Sequence, residues 1–150
     1  MKAGDTAPDF ALADESGATR RLTELLADGP IVLFFYPAAM TRGCTAESCH
    51  FRDLTAEFAS LDAQPVGISA DRVDKQQKFS QTYGFDYPLL SDTEGAVAAA
   101  FGVRRFGFLP NRRRTFVIDA DRTVLLVISS ETKMGTHADE ALAFLRSRVA

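Results

Sequence analysis

Two cysteines stand five residues apart in this chain, in Tyr36-Pro37-Ala38-Ala39-Met40-Thr41-Arg42-Gly43-Cys44-Thr45-Ala46-Glu47-Ser48-Cys49. A thiolate is a strong nucleophile. Oxidation makes it a sulfenic acid, which condenses with a second thiol to a disulfide. To act near neutral pH such a thiol needs a positive surrounding, because its unperturbed pKa is about 8.5. The start of a helix offers one, through unpaired N–H groups and the macrodipole. Redox chemistry on sulfur is therefore the first chemistry to consider here.

The flanking sequence supplies such a helix start. Residues 31–36 form an unbroken run of β-branched, aromatic and aliphatic side chains, suited to a buried strand that Pro37 cannot continue. Beyond it, Phe51, Leu54, Phe58 and Leu61 recur with helical spacing, so a helix is expected to about residue 61. On that helix Cys44 and Cys49 differ by ~140° and their Cα atoms by roughly 8.7 Å. Phe51 returns to within ~20° of Cys44, which puts Cys44 near the buried stripe and turns Cys49 towards solvent. A disulfide requires less than about 7 Å. If the two bond, the first turns must unwind: helical when reduced, locally unfolded when oxidised. Spacing alone also admits a core thiol beside an incidental surface cysteine.

The remaining elements follow in order. Residues 9–13 and 19–22 read as short edge strands around a turn, and residues 23–26 as one helical turn. Residues 65–69 suit a strand and 71–83 a helix stopped by Gly84. Residues 86–92 suit a connector, with Asp92 capping a helix over 93–101. An irregular stretch follows over 102–112. Residues 113–118 and 123–129 make a hairpin, and 136–149 a closing helix. The expectation is one α/β domain over residues 1–150, thioredoxin-like, with a mixed central sheet, helices on both faces and an N-terminal β-hairpin extension.

Several parts of the chain then carry a resemblance. Pro37-x-x-x-Thr41-x-x-Cys44 resembles the active-site signature of peroxiredoxins, and Cys49 resembles the second cysteine of the peroxiredoxin Q, or bacterioferritin comigratory protein, subgroup. Gly4-Asp5-Thr6-Ala7-Pro8-Asp9-Phe10 is similar to the family's opening, and Tyr87-Pro88-Leu89-Leu90-Ser91-Asp92 to its middle connector. Arg113-Arg114-Thr115-Phe116-Val117-Ile118-Asp119 is similar to its arginine strand. The resemblance implies a peroxidase in which Cys44 is peroxidatic and Cys49 resolving. Arg113 would steady the thiolate and the peroxide oxygens, and Thr41 would accept from the peroxide and donate to sulfur. Pro37 would shield the thiolate, and Glu47 would orient an arginine by a bidentate contact; Tyr36 is a supporting residue. It further implies peroxide as substrate, thioredoxin or a similar dithiol as reductant, no metal or organic cofactor, and a monomer, with a dimer as the alternative. Arg42 departs from the proline common there, loosening the first turn while adding positive charge.

Strand alternation puts Arg113 on the face opposite Arg112 and Arg114, so only one side of this basic run lines a site. Arg104 and Arg105 read as solvated surface, and His50 lies too far round the helix to serve Cys44. A zinc site from Cys44, Glu47, Cys49 and His50 matches no common spacing, and His137 is the only other imidazole. A protein-disulfide oxidoreductase is disfavoured by the missing Cys-x-x-Cys spacing; a redox sensor or holdase using the same switch stays open. A net charge of −3 gives no reason to expect nucleic acid or an anionic membrane as partner. No apolar run approaches the ~20 residues of a membrane span, and the first residues lack a signal-peptide core. The expected location is cytoplasmic, where two cysteines suit a transient redox pair.

Overall fold

In a computed structural model describing residues 1–107 and 109–149, the apolar run before the cysteines becomes β3 (Ile31–Phe35), every residue of it buried. Its partners explain why it alternates nothing. β4 (Gln64–Ser69) pairs with it in parallel on one side and β6 (Arg114–Ile118) antiparallel on the other. Val32 and Phe34 enter one core layer, while Ile31, Leu33 and Phe35 enter the other. A strand with both faces covered must be apolar throughout.

β5 (Leu89–Ser91) extends the sheet beyond β4, and the hairpin of β1 (Ala11–Ala13) and β2 (Thr19–Arg21) closes that edge. β7 (Val124–Ser129) closes the other, giving the order β2-β1-β5-β4-β3-β6-β7. On one face lie α2 (Arg42–Asp53), α3 (Thr55–Ala59), α4 (Val73–Tyr83) and α6 (Met134–Val149), represented in that core by Phe51, Phe58, Phe79 and Leu142. On the other lie α1 (Leu22–Leu25) and α5 (Ala96–Ala100), with Leu22, Leu25 and Val97. The expected mixed sheet, two-sided helical cover and N-terminal hairpin are all present.

Three differences from the sequence reading have a physical cause in the packing. The expected connector over residues 86–92 contains β5: Leu89 and Leu90 are fully buried, one in each layer, and align with Gly67 and Ile68. A strand of three residues is too short to show periodicity. The cysteine helix stops at Leu54, where the Thr55 hydroxyl donates back to the Arg52 carbonyl at 2.9 Å and competes with the helical ladder. Finally, α5 starts later than expected, after Gly95 at φ 74°, although the Asp92 carboxylate accepts from the N–H groups of Val97 and Ala98 as a cap would. The stop at Gly84 holds, in left-handed geometry at φ 66°.

Candidate active site

β3 ends at the edge of the buried layer, and residues 36–41 turn the chain into α2. Two contacts fix that turn: the Ala39 N–H donates to Asp71 Oδ2 at 2.7 Å, and the Thr41 hydroxyl donates to the Ala38 carbonyl at 2.7 Å. Met40 takes a left-handed backbone at φ 68°, a conformation an unbranched non-glycine side chain adopts only under constraint. The first helical bond runs from Thr45 N–H to Thr41 O at 2.8 Å. Cys44 thus occupies the first turn, where N–H groups lack intrahelical partners.

The buried face of α2 carries Cys44, Glu47, Ser48 and Phe51, an i, i+3, i+4, i+7 set. Phe51 stacks on Phe34 of β3 with ring centroids 4.2 Å apart, which pins the helix to the sheet. The Tyr87 hydroxyl donates to the Ser48 carbonyl at 2.7 Å. Both cysteines lie in one uninterrupted helix, and both are free thiols. Cys44 is 1% exposed. Cys49 is half-buried at the margin of the core layer rather than turned fully to solvent, because neighbouring elements flank the helix on more than one side. Burial pushes the Cys49 thiol up, against the pull of Arg52.

Arg113 reaches this face from just before β6. Its neighbours alternate as expected: Arg113 is buried, Arg112 exposed and Arg114 between. One guanidinium nitrogen donates to Cys44 Sγ at 3.4 Å and another to Glu47 Oε1 at 2.7 Å. Burial works against the charge on Arg113, but Glu47 and Cys44 outweigh it and hold it firmly protonated. Glu47 is wholly buried, and burial pushes its carboxyl up to about 7 despite Arg113. Its contact with Arg113 is single rather than the expected bidentate fork, since Oε2 is turned away and has no hydrogen-bond partner among the described residues.

One further expectation is corrected. The Thr41 hydroxyl gives its proton to the Ala38 carbonyl and not to sulfur; its lone pairs can still accept from a peroxide. Tyr36 is fully buried with its hydroxyl on Gln76 Oε1, which places its support in the layer beneath the site. Pro37 lines a cleft of about 350 Å³ together with Gly107, Leu109, Pro110 and Asn111. His50 pairs with Asp139 of α6 at 2.8 Å, in keeping with its exclusion from the site.

Residues 3–127 match the AhpC/TSA family. The chain belongs to that family. A peroxiredoxin of Mycobacterium tuberculosis is 63% identical over 151 residues, covering 98% of this chain and 97% of the relative. The crystal structure of peroxidoxin BcpB from the same organism superposes with a TM-score of 0.95 at 62% identity, over 98% of this chain and 97% of that one. The chloroplastic peroxiredoxin Q of Gentiana triflora is 38% identical over 96% of this chain and 66% of its own. The bacterioferritin comigratory protein of Xanthomonas campestris is similar at 31% identity and a TM-score of 0.86, over 94% of this chain and 92% of that one. This peroxiredoxin falls in the peroxiredoxin Q/bacterioferritin comigratory subgroup, with its thioredoxin-like fold, and the family supports a thiol-dependent peroxidase.

Sequence reasoning missed two residues of the site. Glu131 accepts from the Arg113 backbone N–H at 2.9 Å and pairs with Arg105 at 3.0 Å and Arg114 at 3.7 Å, so Arg105 is not free surface charge. No pattern marks Glu131, because it lies in a loop. His137 is fully buried and lies 3.7 Å from Glu47 Oε2. Its one signal was position: it falls on the same stripe of α6 as Ala138, Ala141 and Leu145.

Proposed function

We propose that this protein is a two-cysteine peroxidase that reduces hydrogen peroxide and organic hydroperoxides through Cys44 and resolves through Cys49. The observation that carries the reading is the Arg113 guanidinium on Cys44 Sγ at 3.4 Å, at the first turn of a helix. Sulfur attacks the nearer peroxide oxygen, the O–O bond breaks, and charge develops on the departing oxygen. Arg113 stays charged throughout and stabilises both ends of that shift. Thr41, its hydroxyl oriented by Ala38, accepts from the peroxide O–H, and Pro37, on the turn between β3 and α2, shields the thiolate. The Xanthomonas relative is described by its alkyl peroxide reduction activity, which favours organic hydroperoxides as substrates here too.

Resolution follows from the helix. Two thiols five positions apart on an intact helix lie beyond disulfide reach, so Cys49 meets the Cys44 sulfenic acid only after the first turns of α2 unwind. Half-buried and held as a thiol, Cys49 waits outside the first step. Thioredoxin or a similar dithiol would then reduce the bond. We read residues 1–150 as a single domain acting as a cytoplasmic monomer; among the described residues no helix is long and apolar enough to cross a membrane.

Mass spectrometry after one equivalent of peroxide tests this. The wild type is expected to show Cys44 joined to Cys49. Cys49→Ser is expected to stop at sulfenic acid and fail to turn over with thioredoxin, and Cys44→Ser to consume no peroxide. Turnover by Cys44→Ser would overturn the assignment.

A further inference from the structure

The buried site holds fewer cations than acids. Arg113 alone, among the described residues, reaches both Cys44 Sγ at 3.4 Å and Glu47 Oε1 at 2.7 Å. Cys44 and Glu47 are each capable of a negative charge, and both are at most 1% exposed. Everything else that faces Glu47 fails to supply a second positive charge. From α6, His137 gives Nε2–H to the Ser130 carbonyl at 2.8 Å, and its Nδ1 meets the Thr115 hydroxyl at 2.7 Å. Burial lowers its pKa and keeps the ring neutral, so Nδ1 accepts from Thr115. From the loop before α6, Glu131 adds negative charge, and it engages Arg105 and Arg114 on its own account. Before β5, Tyr87 is neutral, its hydroxyl committed to Ser48.

One guanidinium therefore serves two buried acids. Two buried anions against one cation would leave a net charge with no counter-ion, which burial makes very costly. The unpartnered Glu47 Oε2 is the place where a proton fits without breaking a hydrogen bond, because Oε1 alone receives the arginine.

We propose that Glu47 carries a proton on Oε2 while Cys44 is a thiolate and gives it up when the sulfenic acid forms, so that Arg113 faces one anion at each stage. The inference rests on the peroxidase reading above. The step balances as Cys44–S⁻ + Glu47–COOH + ROOH → Cys44–SOH + Glu47–COO⁻ + ROH. A sulfur lone pair takes the hydroxyl oxygen, the O–O pair leaves on RO⁻, and RO⁻ takes a proton from solvent as Glu47 returns one. Sulfur is oxidised, the peroxide is reduced, and the proton Glu47 releases balances the one the leaving alkoxide takes up, so the reaction as a whole takes no net proton from solvent. Glu47 touches neither peroxide nor sulfur, so it is a positioning residue that keeps Arg113 available.

The experiment uses reduced Cys49→Ser protein, which stops at sulfenic acid, with one equivalent of hydrogen peroxide near pH 7 in weak buffer containing an indicator dye. Thiolate is verified beforehand by its ultraviolet absorbance. Infrared difference spectra follow the carbonyl stretch of a protonated carboxylic acid, assigned by isotope-labelled glutamate. Sulfenic acid is expected to form with close to no proton uptake, and the carboxylic-acid band to vanish in step. With Glu47→Gln added, the band is expected to be missing and about one proton to be taken up per sulfenic acid. Should that variant misfold, the band in Glu47-containing protein decides alone. Sulfenic acid formed with one proton taken up and no change in the band would overturn the inference while leaving the peroxidase intact; no sulfenic acid at all would remove both.

Discussion

At the scale of single residues, Arg113 is set by contacts of different strength. Its charged hydrogen bond to Glu47 at 2.7 Å is short, whereas that to sulfur at 3.4 Å suits the larger atom. A lysine cannot reproduce a planar fork that meets both at once. Arg113→Lys is therefore expected to slow peroxide attack on Cys44 by ~10²-fold, the effect of losing one preorganised donor. Arg114→Ala should change it less than ~3-fold, because a half-exposed side chain paired with Glu131 lies on the other face. Stopped-flow measurement of sulfenic acid formation separates the two, and equal effects would unseat Arg113.

Glu47 also sets a pH dependence of stability. Its carboxyl is pushed up to about 7 in the fold from an ordinary 4.5, so folding favours its neutral form. That contribution is fully present below about 4.5 and is lost as pH rises through 7, on the order of 3 kcal/mol. His137 has the opposite sign: lowered by burial, it supports the fold above its ordinary range and loses that support as pH falls. Urea midpoints from pH 5 to 8 are expected to fall more steeply for wild type than for Glu47→Gln, which cannot ionise. Parallel curves would show that Glu47 titrates normally.

At the scale of elements, the sheet presents the site through close approach. Gly67 in β4 has no room for a side chain: an added Cβ would sit 2.7 Å from Leu89, 3.1 Å from Phe34 and 3.1 Å from Tyr36. Phe34 in turn carries Phe51 and with it α2. Gly67→Ala is expected to destabilise the protein by about 1–3 kcal/mol in denaturant unfolding, by overpacking between rigid rings. The same neighbourhood shows what a sequence reveals. The all-apolar β3, the glycine stop after α4, and the cysteine helix were legible, because periodicity and special backbone conformations are local. Alternation even placed Arg113 opposite Arg112 and Arg114. Partners chosen by tertiary packing were not legible. Thr41 turns to Ala38, Glu47 uses one oxygen rather than two, and β5 is a strand only because β1 and β4 flank it. Glu131 and His137 reach the site from 18 and 24 positions beyond Arg113, a distance over which no pattern in the chain speaks.

At the scale of the molecule, the question is how one helix can open while the rest holds. α2 is held to its surroundings by identifiable ties: Arg113 on Glu47, Tyr87 on the Ser48 carbonyl, His50 on Asp139 of α6, and Arg52 on the Tyr83 carbonyl. Phe51 on Phe34 and Phe58 anchors its second half in the core, beyond the cysteines. Before Phe51 the helix has only Cys44, Glu47 and Ser48 buried, and two of those side chains leave a buried polar atom without a partner among the described residues. Opening should therefore begin at Arg42 and stop before Phe51, since unpacking a stacked phenylalanine costs about 3 kcal/mol or more. Sheet order supports this, because β3, β4 and β6 bond to one another without α2. Hydrogen exchange followed by mass spectrometry is expected to show amides 42–50 losing protection by at least ~10-fold on oxidation. Amides of β3, β4 and the second half of α6 should keep theirs. Asp139→Asn removes an exposed pair worth below about 1 kcal/mol and should raise exchange in α2 only modestly. If oxidation left 42–50 protected, disulfide formation would have to draw on a different motion, and the helix would cease to be the moving part.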